Sequence, residues 1–147
     1  MRTKTLMKKF SDYGISINSM AFSLDGLLLV YGATKGSKGL IGYYNVQKDE
    51  TIREFAQFDG LVNSVMFNPN NKLLAVGLNV GIVKILDVIN KKVIQNIIYG
   101  DSAIKSVAFN LQGNILAAGL NNGKIKLWNI NYESEFQGFS IEHFIMY

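Results

Sequence analysis

Apolar and polar positions along this chain alternate in short bursts that never settle into a helical period. "VNSVMF" and "IKSVAF" are six-residue runs, rich in β-branched and apolar residues, and each ends at a turn. "NPNN" and "NLQG" follow at once, and "SLDG" takes the same place earlier in the chain. Gly26 and Gly113 supply the residue that tolerates positive φ, and Pro69 presets φ for the second residue of its turn. Next come "LLLVYG", "KLLAVG" and "NILAAG", nearly all apolar, which is the pattern of strands buried on both faces. "NVG" and "NNG" make tight hairpin turns before a third strand, "LIGYYNV", "IVKILDV" or "KIKLWNI". A fourth strand follows a polar turn: "TIREFAQF", "KVIQNIIY" and, less clearly, "SEFQGFSI". Gly-rich turns arrive too soon for a helix of useful length.

These bursts are one unit repeated. Phe22, Phe67 and Phe109 correspond, as do Gly32, Gly77 and Gly119. Tyr44-Asn45, Leu86-Asp87 and Trp128-Asn129 correspond at the end of the third strand. The step from Tyr44 to Leu86 is 42 residues, and from Leu86 to Trp128 again 42. The step from Phe22 to Phe67 is 45, because the first copy has the longer turn "TKGSKG". Four strands in a unit of this length are the signature of a β-propeller blade. One small sheet cannot bury two apolar faces, but sheets stacked face to face can. The small residues of "LAVG" and "LAAG" suit the places where blades converge. The predicted fold is therefore all-β, with about three blades of four antiparallel strands forming an open or partial propeller.

"SVAFNLQGNILAAGLNNGKIKLWNI" resembles the WD-repeat β-propeller family, with Trp128-Asn129 where the family has its Trp-Asp ending. The second copy matches well, the first is more divergent, and the resemblance runs roughly from Ile15 to Ile130. There are departures. The family's Gly-His dipeptide is replaced by Asp12-Tyr13, Gln57-Phe58 and Tyr99-Gly100. The family's Asp in the turn after the second strand becomes Val80 and Asn122. The His-Asp-Ser-Trp network of many members is thus incomplete, although Ser64, Ser106 and Trp128 remain, and packing is expected to carry more of the stability. The resemblance implies a protein-interaction scaffold without catalysis. It places partner contacts on the loops entering the first strand and those between the second and third. Those loops hold Tyr13, Lys35, Lys38, Phe58, Asp59, Asn79, Asp101 and Asn121. Tyr13 and Phe58 are the candidate aromatic anchors, with Phe58 equally suited to packing between blades.

The blades are expected at 13–57, 58–99 and 100–142 of a single domain spanning 1–147, after an outer strand at 1–12 that is free to complete a neighbouring blade. Closed propellers need roughly 4 to 8 blades, so three leave two apolar faces to cover. Three arrangements meet that need: a longer protein of which this is a piece, a head-to-tail pair of chains, or docking on another propeller or partner.

Composition narrows the chemistry. Of the 147 residues, 48% are hydrophobic and 18% charged, a globular balance. With no cysteine, disulfides and thiol catalysis are excluded. His143 is the sole histidine and has no evident catalytic partners. No metal-ligand motif or cofactor fingerprint is present, so no cofactor is expected. "GATKGSKG" has glycines and lysines, but neither the spacing nor the following helix of a phosphate-binding loop. The net charge of +4 is scattered, which makes a nucleic-acid-binding module the alternative function rather than the first. No apolar run approaches the ~18 residues of a membrane span. The basic, acid-poor start "MRTKTLMKKF" reads as a strand with solvated lysines, or else as a targeting segment. The default compartment is the cytoplasm, with the nucleus as the alternative.

Overall fold

The structure, a computed structural model, describes residues 4–11, 14–98, 100, 102–132 and 139–146; at 53, 131–132 and 139–146 it describes the backbone alone. The described residues form strands and turns with no helix, hence no helix able to cross a membrane. Twelve strands follow one another: β1 (Ser16–Phe22), β2 (Leu28–Lys35), β3 (Lys38–Asn45), β4 (Glu50–Asp59), β5 (Val62–Phe67), β6 (Leu73–Leu78), β7 (Ile82–Asp87), β8 (Lys92–Ile98), β9 (Ile104–Phe109), β10 (Ile115–Leu120), β11 (Ile125–Tyr132) and β12 (Phe139–Met146). They pair as three antiparallel sheets, β1-β2-β3-β4, β5-β6-β7-β8 and β9-β10-β11-β12. Each sheet is a blade, and the three stack in chain order as an open propeller.

Local chemistry repeats from blade to blade. In the turn after the first strand, the Ser23, Asn68 and Asn110 amides donate to the carbonyls of Leu28, Leu73 and Ile115 at 2.8–3.0 Å. The left-handed residue that closes each turn is Gly26, Asn71 or Gly113, with φ of 73°, 60° and 73°. Asn is the non-glycine residue that best tolerates this region, so the second copy keeps the turn without a glycine.

Two hydrophobic cores fill the spaces between the sheets. Val30, Ile41 and Phe58 of the first blade meet Val62, Val65, Phe67, Leu74, Val76 and Leu86 of the second. On its other side the second blade sends Leu73, Ala75, Val83 and Ile85 against Ile104, Val107, Leu116 and Trp128 of the third. β6 lies between both cores and is buried at every residue, as its unbroken apolar run predicts. Alternating side chains of one strand therefore serve different cores. The face a blade turns to the blade before it is called here leading, and the opposite face trailing.

Two expectations need correction. Residues 4–11 are not an outer strand and make no sheet pairing. The sheets already hold four strands each. The segment instead crosses the outer part of the first blade, where Lys8 hydrogen-bonds Asp49 (2.6 Å) and the Phe10 ring lies 4.9 Å from that of Tyr44. The fourth strand of the third blade shares only Phe139, Ser140 and Ile141 with "SEFQGFSI" and runs on to Met146. β11 continues to Tyr132, and its whole length pairs with Phe139–Met146, which carries the hairpin past the segment 133–138.

Candidate interaction surfaces

The innermost strands show how one blade grips the next. In β1, Ile17 pairs with Ala33 and Ser19 with Gly32, so Asn18 is an extra, bulged residue. The same bulge falls on Asn63 in β5 and on Lys105 in β9. A bulge re-aims a side chain, and here it aims the amide at the neighbouring blade. Asn18 Nδ2 donates to the Val62 carbonyl and Asn63 Nδ2 to the Ile104 carbonyl, both at 2.8 Å. The following serines complete the stitch: Ser19 Oγ accepts the Val65 amide and Ser64 Oγ the Val107 amide, both at 3.1 Å. Buried Asn68 adds a bond to the Gly113 carbonyl at 2.9 Å.

A notch lies beside each stitch. A Cβ on Gly77 would stand 2.6 Å from Ile104 Cγ2, and one on Gly32 would collide with Val62. The first side chain of each later blade thus seats where the preceding blade has only a glycine. Sequence reasoning placed the small residues of "LAVG" and "LAAG" where blades converge, but not the seating of the next blade's first side chain on Gly32 and Gly77. It also missed Asn18 and Asn63, although Asn-Ser stands at the same place in the first two copies of the repeat.

The anticipated partner residues gather along one rim. Lys35 and Lys38 flank the β2–β3 turn, and Lys38 pairs with Asp59 at the end of β4. Lys38, by hydrogen bond and charge, and Lys84 at longer range hold the exposed Asp59 carboxyl below the usual carboxylate range. Asn79 Oδ1 accepts the Leu61 amide at 2.7 Å, tying the β6–β7 turn to the incoming loop. A Cβ on Gly60 would lie 3.2 Å from that Oδ1, so Lys38, Asp59 and Asn79 form a continuous edge. Asn121 holds the equivalent place in the third blade, its amide donating to the Ala103 carbonyl at 2.9 Å. Phe58 is in β4, not in a loop, and is buried in the first core with Lys84 Nζ 5.3 Å from its ring centre. Packing accounts for it. Tyr13 and Asp101 lie outside the described residues.

The larger surfaces are the two outer faces of the stack. On the leading face of the first blade, Ile17, Met20 and Phe22 are 49%, 63% and 61% exposed. Their equivalents Val62, Val65 and Phe67 are 0%, 4% and 4% exposed. On the trailing face of the third blade, Ile125 is 51% exposed where Val83 is 1%. Phe10 covers only the Tyr44 end of the leading face. Among the described residues no group of three His, Cys, Asp or Glu side chains comes together.

Comparison with known families agrees with this architecture. The family model described as "Anaphase-promoting complex subunit 4 WD40 domain" matches residues 51–107, and that described as "WD domain, G-beta repeat" matches residues 92–129. Together they run unbroken over more than half the chain. The chain belongs to the WD-repeat family. The matches span the second blade and most of the third, with the closing strand of the first. No curated protein matches the chain. WD-repeat domains in general bind other proteins, and the position of the family's Trp here is a packing site: Trp128 is buried in the second core, as Leu86 is in the first.

Proposed function

We propose that this WD-repeat chain is a non-catalytic protein-interaction scaffold, a subunit or segment of a larger propeller or complex. The observation that carries the reading is the unequal fate of equivalent positions. Ile17, Met20 and Phe22 stand in water where Val62, Val65 and Phe67 are covered. A contiguous apolar face of that kind marks a surface made to be covered by another protein. The rim of Lys38, Asp59 and Asn79 offers a second, polar surface beside it. One matching family model is named for a subunit of a complex.

The test compares proteins that co-purify with the tagged chain and with its Met20→Glu/Phe22→Glu variant, quantified by mass spectrometry. Because both side chains are already exposed, the variant should fold and should lose a defined set of partners. A folded variant with the same partners as the parent overturns the reading.

A further inference from the structure

The two outer faces of the stack are the two halves of one joint. Each internal joint has a knob, a notch and a stitch. The knob is the first apolar residue of the innermost strand, Val62 or Ile104, and the notch is the glycine opposite, Gly32 or Gly77. The stitch is the bulged Asn with its following Ser. The leading face of the first blade carries the knob, Ile17, half exposed and unseated. The trailing face of the third blade carries the notch, Gly119, and no described side chain is seated in it. Among the described residues a Cβ built there meets only Ser106 Cβ, at 4.0 Å. The stitch is there as well: Lys105 is the bulged residue and exposed Ser106 follows it, in the register of Asn63-Ser64.

We infer that a second copy of this chain covers these faces head to tail, Ile17 of one copy seating in the Gly119 notch of the other. The inference rests on the scaffold reading and names the partner of its apolar face. Ser106 Oγ would accept the Met20 amide, as Ser64 Oγ accepts that of Val107. Lys105 Nζ would donate to the Ile17 carbonyl, the part played by Asn63 toward Ile104. Met20 pairs with Tyr31 as Val65 does with Val76 and Val107 with Ala118, so its amide stands at the same register. Ile125 of the trailing face would be covered as Val83 is inside the stack. A head-to-tail contact either closes into a ring or grows without limit. Two chains of three blades give six, inside the roughly 4 to 8 of closed propellers.

The test is the mass of the purified chain in solution, by sedimentation velocity at tens of micromolar, a concentration that populates contacts of modest affinity. A discrete species of twice the 16.4 kDa chain is expected. Gly119→Val is the decisive variant, because in the free chain a Cβ there comes no nearer than 4.0 Å to a described neighbour, whereas in the equivalent joint a Cβ on Gly77 would lie 2.6 Å from Ile104 Cγ2. It should melt like the parent when dilute and sediment as a monomer. Ser106→Ala should weaken association by roughly two- to tenfold. Since the chain has no cysteine, Ile17→Cys and Gly119→Cys chains mixed under mild oxidant report the contact directly. The counterpart Ile104 Cβ lies 3.3 Å from a Cβ on Gly77, close to disulfide reach. A covalent pair of one chain of each kind is expected. A parent that stays monomeric, a Gly119→Val variant that still pairs, or failure to cross-link overturns the inference. The scaffold reading would survive any of these if Met20→Glu/Phe22→Glu still removed co-purifying proteins.

Discussion

Asp49 shows how much one residue can organise on this surface. It sits at φ 49°, accepts from Lys8 at 2.6 Å and from the Tyr44 hydroxyl at 3.0 Å, and so anchors the segment 4–11. Those two hydrogen bonds, Lys8 first, hold its carboxyl below the ordinary carboxylate range. A depressed folded pKa adds stability above the unfolded pKa and loses it as pH falls through the folded one. The contact should therefore persist at neutral pH and release only in acid below the ordinary aspartate range. An NMR titration of the Asp49 carboxyl carbon, repeated on Lys8→Ala, checks this; the variant should titrate at higher pH than the parent. Asn63 makes a less exposed test. Asn63→Ala removes the donor to the Ile104 carbonyl and should cost about 1 kcal/mol in denaturant unfolding. Asn63→Asp should cost more, because a carboxylate there meets a carbonyl oxygen with no proton to offer. These roles were half legible. The Asn-Ser repeat could be read off the aligned copies, but that Asn is bulged and reaches the next blade depends on strand register, which periodicity leaves open. Lys105 hid the pattern further by breaking the repeat at its third position.

At the scale of the strand, the sequence reads well wherever its period and its turns agree. The apolar run Leu73–Leu78 announces a strand covered on both sides, and it is one. Phe58 was harder: it lies next to Asp59 and Gly60, a turn-like sequence, yet β4 runs through it and ends at Asp59. The pull of the first core on an aromatic ring outweighs the local turn signal there. "SEFQGFSI" misleads in the opposite sense, because only its last three residues belong to β12, which begins at Phe139. What sequence alignment cannot show is that equivalent residues have unequal surroundings. Phe22 and Phe67 occupy the same place in their blades, but only Phe67 has a blade in front of it. Phe67→Ala should cost about 3–5 kcal/mol, as aromatic-to-alanine changes in cores do, and Phe22→Ala about 0.5 kcal/mol or less. Paired chemical-denaturation curves, taken dilute enough to keep the chain monomeric, measure both. Equal losses would mean that the exposed face is already covered within a single chain.

The whole molecule is a linear stack, and its energetics should follow from that. Among the described residues the two cores join the first blade to the second and the second to the third, so stability should be close to a sum of blade terms and joint terms. The second blade shares in both joints, whereas the first and third share in one each. Opening should then be graded, because local stability varies with how much buried contact an element must give up. Amides of β6, buried throughout, should exchange with deuterium most slowly. Those of β1, whose leading side chains stand in water, should exchange much faster in a dilute monomer. Head-to-tail pairing adds a concentration-dependent term. As the chain is concentrated, the protection of β1 and β9 should rise together, since they meet at the same joint, while that of β6 should change less. Gly119→Val should hold β1 at its dilute rate at every concentration and leave β6 where it was. Hydrogen exchange read strand by strand across a dilution series therefore separates the two contributions. A β1 already as protected as β6 in the dilute chain would show that its face is covered from within the monomer.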